Sequence, residues 1–217
     1  MPFDRNEARD RIVEAALPHV PFDGWTAAVL ATAAREAGYP DATALRVFPG
    51  GAVDAIAHWT AMADQAMLAA IEAEGEAFRA LKIREKIARA IRLRLEPLAG
   101  HREAVRRALA LLAMPQNVPV SLRTGWATVD AVWYAAGDRA TDFNYYTKRA
   151  LAGGVYSATL LYWLEDKSEF QADTWEFMAR RIDNVMALPK AFGGIKSKLE
   201  AAASPLKPIF ARFKKAS

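Results

Sequence analysis

Residues 35–49, REAGYPDATALRVFP, decide how the whole chain is read. Small residues and a Gly-x-Pro break come first, and a short apolar run then closes on Phe48-Pro49, which is the cadence of a helix-turn-helix. Ala33, Ala37 and Gly38 let two helices cross closely, and Phe48 anchors the core that three short helices share. The cations that such a unit sets against DNA are missing.

Outward from that stretch the pattern stays helical. Apolar residues recur at three and four residue spacing, alanine is abundant, and nowhere does a clean period of two appear, so the chain reads as all-α with no strand. Pro18 and Pro21 end the first helix, Gly38 and Pro40 separate the second from the third, and Pro49-Gly50-Gly51 precedes the fourth, which runs to about Glu74. The fifth spans about Lys82 to Glu96, and Pro97 with Gly100 introduces a sixth through Leu112. Pro115 and Pro119 open a seventh that reaches Ala136. Thr141 and Asp142 suit the N-terminus of a long eighth helix ending near Asp166, and a ninth covers about Phe170 to Leu188. Three small helices followed by longer ones resemble the layout of TetR-like proteins. The expected units are a helix-turn-helix-like subdomain (1–50), a helical ligand-binding bundle (51–188) and an appended tail (189–217).

The net charge of +4 is unevenly spread. Residues 1–50 carry five basic and seven acidic side chains, residues 51–78 none and five, residues 79–123 eleven and three, and residues 188–217 seven and one. The basicity therefore lies outside the helix-turn-helix. DNA-binding TetR-like proteins usually place phosphate donors at the turn and along the recognition helix; here stand Pro40, Asp41, Leu45, Val47 and Gly51, with only Arg46 left. DNA binding relies on neutralising several phosphates, so no nucleic-acid partner is expected. The alternative, a ligand-responsive transcriptional regulator, needs Arg35, Arg46 and the central basic residues to suffice.

With no cysteine, disulfides and thiolate chemistry are excluded. The charged start reads as neither a secretory signal nor an arginine-rich transit peptide. The uncharged run from Ala150 to Leu164 falls short of the roughly 20 residues that span a bilayer. His19, His58 and His101 are scattered over separate helices, and no phosphate loop, nucleophile elbow or metal-binding pair occurs, so neither an enzyme nor a cofactor is expected. The expected location is cytoplasmic, peripheral to the inner membrane.

Residues 128–166, TVDAVWYAAGDRATDFNYYTKRALAGGVYSATLLYWLED, carry a closer resemblance. With ALPHVPFDGWT (16–26), REAVRRALALLAMPQN (102–117) and DTWEFMARRIDNVM (173–186), they resemble the Coq-nine family of ubiquinone-biosynthesis accessory proteins over about residues 8–188. The resemblance implies a TetR-like fold released from transcription, a homodimer, and an apolar cavity for an isoprenoid lipid or quinone intermediate. It also implies a ring hydroxylase as partner, docking on Tyr145, Tyr146 and Arg149, a cluster of the interface type. An ordinary solvated helix start is the other reading of that cluster. Trp126, Val129 and Trp133 on the seventh helix and Val155, Thr159, Tyr162 and Trp163 on the eighth form facing stripes, either a lipid-binding wall or packed core. Gly153 and Gly154 point to close approach of a neighbouring helix or a ligand.

In residues 190–217 the apolar Phe192, Ile195, Leu199, Leu206, Ile209, Phe210 and Phe213 alternate with Lys196, Lys198, Lys207, Arg212, Lys214 and Lys215. That is the composition of a helix lying in an anionic membrane interface. A disordered basic tail, or a helix folded back on the core, fits the same composition.

Overall fold

A computed structural model describes residues 3–137 and 143–185, without the side chains of residues 143–148. Asp4 caps α1 (Arg5–Ala16) by accepting from the Asn6 and Glu7 backbone N–H groups at 2.8 and 3.2 Å. A single turn, α2 (Val20–Asp23), follows; it was not anticipated from the sequence, and it accommodates Pro21 because a first-turn residue needs no N–H. Thr26 caps α3 (Ala27–Glu36) through the Val29 N–H, and α4 (Ala42–Val47) completes the trihelical unit. Gly38 makes the intervening turn at φ 84°, in the left-handed region, while Ala33, Ala37 and Phe48 are buried between the helices.

The bundle begins with α5 (Ala52–Glu74), broken from the four-residue α6 (Glu76–Arg79) at Gly75, and continues as α7 (Ile83–Leu95). A 3-10 segment carrying Pro97 leads into α8 (Arg102–Leu112), and a second with Pro115 leads into α9 (Val118–Ala135). Then come α10 (Phe143–Glu165) and α11 (172–185). Asp166 ties the last two together: its carboxylate accepts from the Ser168 N–H at 2.7 Å, the Thr174 N–H at 2.9 Å and the Thr174 hydroxyl at 2.5 Å. Those bonds outweigh burial and hold its carboxyl down at about 2.

One core runs from Ala8 to Ile182 and joins the trihelical unit to the bundle. Trp25 fastens them, its indole N–H donating to the Ala104 carbonyl at 3.0 Å and its ring 5.5 Å from that of Trp59 on α5. Among the described residues there is no strand, and no helix is long and apolar enough to cross a membrane. Thr141 and Asp142, expected to open α10, and the whole tail from Phe192 to Lys214 lie outside the described residues.

Candidate functional site: a cavity in the helical bundle

Helices α5, α7, α8, α9 and α10, with Leu98 of the 3-10 segment before α8, enclose a cavity of about 360 Å³. From α5 it takes Ile56, Trp59, Thr60 and Ala63, and from α8 Val105, Ala108, Leu109 and Leu112, both at the spacing of one helical face. The N-terminal half of α9 contributes Ser121, Gly125, Trp126, Thr128 and Val129, and α10 adds Arg149, Ala150, Gly153, Tyr156 and Leu160. Small side chains at Ala63, Ala108, Gly125, Ala150 and Gly153 leave the space open. Leu122, Trp126, Ala150 and Ser157 are exposed and form the mouth, whereas Ile56, Arg94, Thr128 and Val129 are buried at the inner end.

A buried ion pair stands at that inner end. Arg94 on α7 donates from Nε to Asp64 Oδ1 at 2.6 Å and from Nη2 to the Thr60 carbonyl at 3.3 Å. The Thr128 hydroxyl donates to the same carboxylate, 2.9 Å from Oδ2. Burial pushes the Asp64 carboxyl up, against the opposing pull of Arg94 and Thr128. Burial likewise raises the Tyr156 phenol, which therefore stays protonated beside Arg94. Arg94 remains a cation, and its Nη1 has no hydrogen-bond partner. The second cation of the wall, Arg149, is held by Asp130, Nε to Oδ1 at 2.5 Å.

Of the residues expected to line a lipid site, Trp126 and Val129 line this cavity. Trp133, Val155, Thr159 and Trp163 are buried in core packing instead; the Thr159 hydroxyl donates to its own helix at the Val155 carbonyl, and Arg102 stacks 4.8 Å from the Trp163 ring. Tyr162 stacks on Phe177 of α11, with ring centroids 4.5 Å apart. The reason is rotational: α10 is apolar on more than one side, and the face of Gly153, Tyr156 and Leu160 is the one that meets the cavity. Gly153 borders the space, where a Cβ would sit 3.7 Å from Val129, and Gly154 has nothing within 4 Å, so neither marks a tight helix crossing. Arg149 is only 4% exposed and faces inward. Tyr145 and Tyr146 belong to the first turn of α10, but their side chains lie outside the described residues.

The inner pair escaped the sequence reading, although a trace of it was there. Arg94 continues the apolar row Ile87, Ala90, Ile91, and Asp64 sits between Ala63 and Met67 on a buried face. A charge on an apolar stripe needs a buried partner. Among the described residues no group of acids and histidines is placed to hold a metal.

On the helix-turn-helix the basic side chains are engaged within the protein. Arg35 pairs with Asp41 at 2.6 Å, Arg46 lies 3.9 Å from the Phe3 ring centroid, Arg9 stacks on Phe48 and Arg11 on Tyr39. Leu45 projects into solvent from α4.

Comparison with known proteins agrees with this architecture. The COQ9 family model matches residues 118–189, the segment that supplies α9 and α10 to the cavity. The chain is 35% identical over 201 residues to the mitochondrial ubiquinone biosynthesis protein COQ9 of Rattus norvegicus, covering 90% of this chain and 64% of the relative. It is 34% identical to that of Drosophila melanogaster, covering 83% and 56%, and 31% identical to COQ9-B of Xenopus laevis, covering 90% and 68%. The chain thus spans somewhat under two thirds of the rat and fly relatives. A TetR transcriptional regulator from Nitrosomonas europaea superposes with a TM-score of 0.66 at 24% identity, over 82% of this chain and 97% of the regulator, so the fold is TetR-like.

Proposed function

The chain belongs to the COQ9 family, and from that premise we propose that it is a lipid-binding accessory protein of ubiquinone biosynthesis, without catalytic activity of its own. In this reading it carries a polyprenylated quinone intermediate and delivers it to a ring hydroxylase at a membrane surface. The observation that carries the reading is the cavity, largely apolar, open at one end and walled by the family's own segment. Its volume is at the lower end of the roughly 300–1,000 Å³ of small-molecule sites. It therefore takes a ring and a short length of chain, and the rest of an isoprenoid tail leaves through the mouth beside Leu122 and Trp126.

Labour divides along the chain. Residues 1–50 act as a scaffold element, because their cations already have partners within the fold. Residues 51–188 hold the lipid, and residues 189–217 attach the protein to anionic membrane through Phe192, Ile195, Leu199 and the lysines between them. Tyr145 and Tyr146, at the start of α10, dock the hydroxylase, with Arg149 bracing that turn through Asp130. Exposed Tyr134 and Leu161 offer apolar surface to a second copy in a homodimer. Native mass spectrometry of the purified protein tests the reading: adducts with the mass of an isoprenoid quinone or related lipid are expected, and protein that is empty in every preparation refutes it.

A further inference from the structure

The cavity is chemically polarised along its length. Its mouth is mostly apolar, while its inner end gathers Arg94, Thr128 and Tyr156, with Asp64 bonded behind Arg94 and Thr128. A guanidinium has five N–H donors, and Arg94 uses Nε and Nη2 but leaves Nη1 unpaired. An unmatched buried donor is unfavourable, more so on a charged group, and an oxygen supplied by a ligand removes that cost. Among the described residues the Tyr156 hydroxyl has no hydrogen-bond partner; it stays protonated beside Arg94 and offers a second donor.

The charge of the head is limited by the same residues. Arg94 is neutralised by Asp64, and Arg149 by Asp130. A ligand anion entering this end would be left without a counter-charge in a desolvated site. An uncharged oxygen acceptor meets the donors without that penalty.

We infer that the inner end of the cavity is a head-group site for an uncharged, oxygen-bearing ring, a quinone or its methoxylated relatives, held by Arg94 and Tyr156 with its hydrocarbon chain directed out through the mouth. This rests on the lipid-carrying reading and adds to it an orientation and a selectivity: the ring is sheltered and the chain is exposed until the lipid is handed on.

Calorimetric titration with three ligands of one length tests it: a dimethoxybenzoquinone bearing a decyl chain, decylbenzene, and 4-decylbenzoate. The quinone is expected to bind about tenfold more tightly than decylbenzene, which is 1.4 kcal/mol, and the benzoate no more tightly than decylbenzene. In Arg94→Lys, which keeps a cation for Asp64 but removes Nη1, the quinone-to-decylbenzene ratio should fall toward one. Should that variant fail to fold, Tyr156→Phe is measured instead, and there the ratio should drop severalfold. Equal binding of quinone and decylbenzene by the unmodified protein, an unchanged ratio in the folded variant, or a preference for the benzoate each overturns the head-group site while leaving a lipid carrier intact. Failure of the unmodified protein to bind any of the three refutes the carrier reading itself.

Discussion

Asp64 and Arg94 stand on the buried faces of α5 and α7, so each depends on the other for a counter-charge. Removing one partner strands an ion in the core: Asp64→Ala should lower stability by about 3–5 kcal/mol in denaturant unfolding. Replacing both, as Asp64→Leu with Arg94→Met, should cost clearly less than that single change, and a double variant as unstable as Asp64→Ala would show that the pair is not the source of the loss. His58 gives a pH dependence at the same scale. Burial holds its imidazole below the ordinary value of 6.5, even though Asp10 accepts from or pairs with its Nε2 at 2.6 Å. The unfolded chain therefore takes up the proton first, so the contribution is complete above pH 6.5 and is lost as pH falls through the lower folded value. Melting temperature should decline between pH 7 and pH 5.5, with a flatter profile in His58→Gln.

At the scale of the element, α10 shows how far periodicity reaches. Its end near Asp166 and its apolar character are legible from composition and flanking residues. The stripe of Val155, Thr159 and Trp163 and the stripe of Gly153, Tyr156 and Leu160 are both plausible inner faces, and only the position of α9 and α11 selects between them. Two adjacent glycines separate the consequences. Gly154→Ala, in open space on the outer face, should stabilise the helix by up to about 1 kcal/mol without touching ligand binding. Gly153→Phe projects a ring into the cavity and should abolish copurification of lipid while the far-ultraviolet circular dichroism stays helical. Lipid retained in Gly153→Phe would place the ligand elsewhere.

At the scale of the molecule, folding reassembles the charge that the sequence segregates. The acidic residues 51–78 meet the basic segment that follows: Glu74 pairs with Arg89, Asp64 with Arg94 and Glu76 with Arg79. Later acids take up more of it, Glu165 with Arg106 and Asp183 with Arg84. The basic excess of residues 79–123 is thus partly matched within the fold, which limits what it offers to phosphate. Duplex DNA should not bind measurably in fluorescence anisotropy at physiological salt; a dissociation constant in the nanomolar range there would restore the regulator reading. The tail keeps its excess in its own sequence, so deleting residues 190–217 should abolish sedimentation with anionic liposomes, and undiminished sedimentation would remove the tail from membrane attachment.

Fold class, most of the breaks between the long helices and the shortage of cations on the helix-turn-helix were determined by the sequence alone, because proline and glycine positions, the 3.6-residue period and the count of cations are local properties of the chain; the short α2 and α6 were not. Trp126 and Val129 were legible as cavity residues because they share one stripe of α9, although the face of α10 expected opposite them is not the one that meets the cavity. The tertiary structure decided the rest: which side of α10 meets the hollow, that Arg149 turns inward, and that Arg94 and Asp64, thirty residues apart in sequence, share its inner end. A helix carrying two apolar faces has no internal preference between them, and a buried charge acquires its meaning only from the partner that packing brings to it.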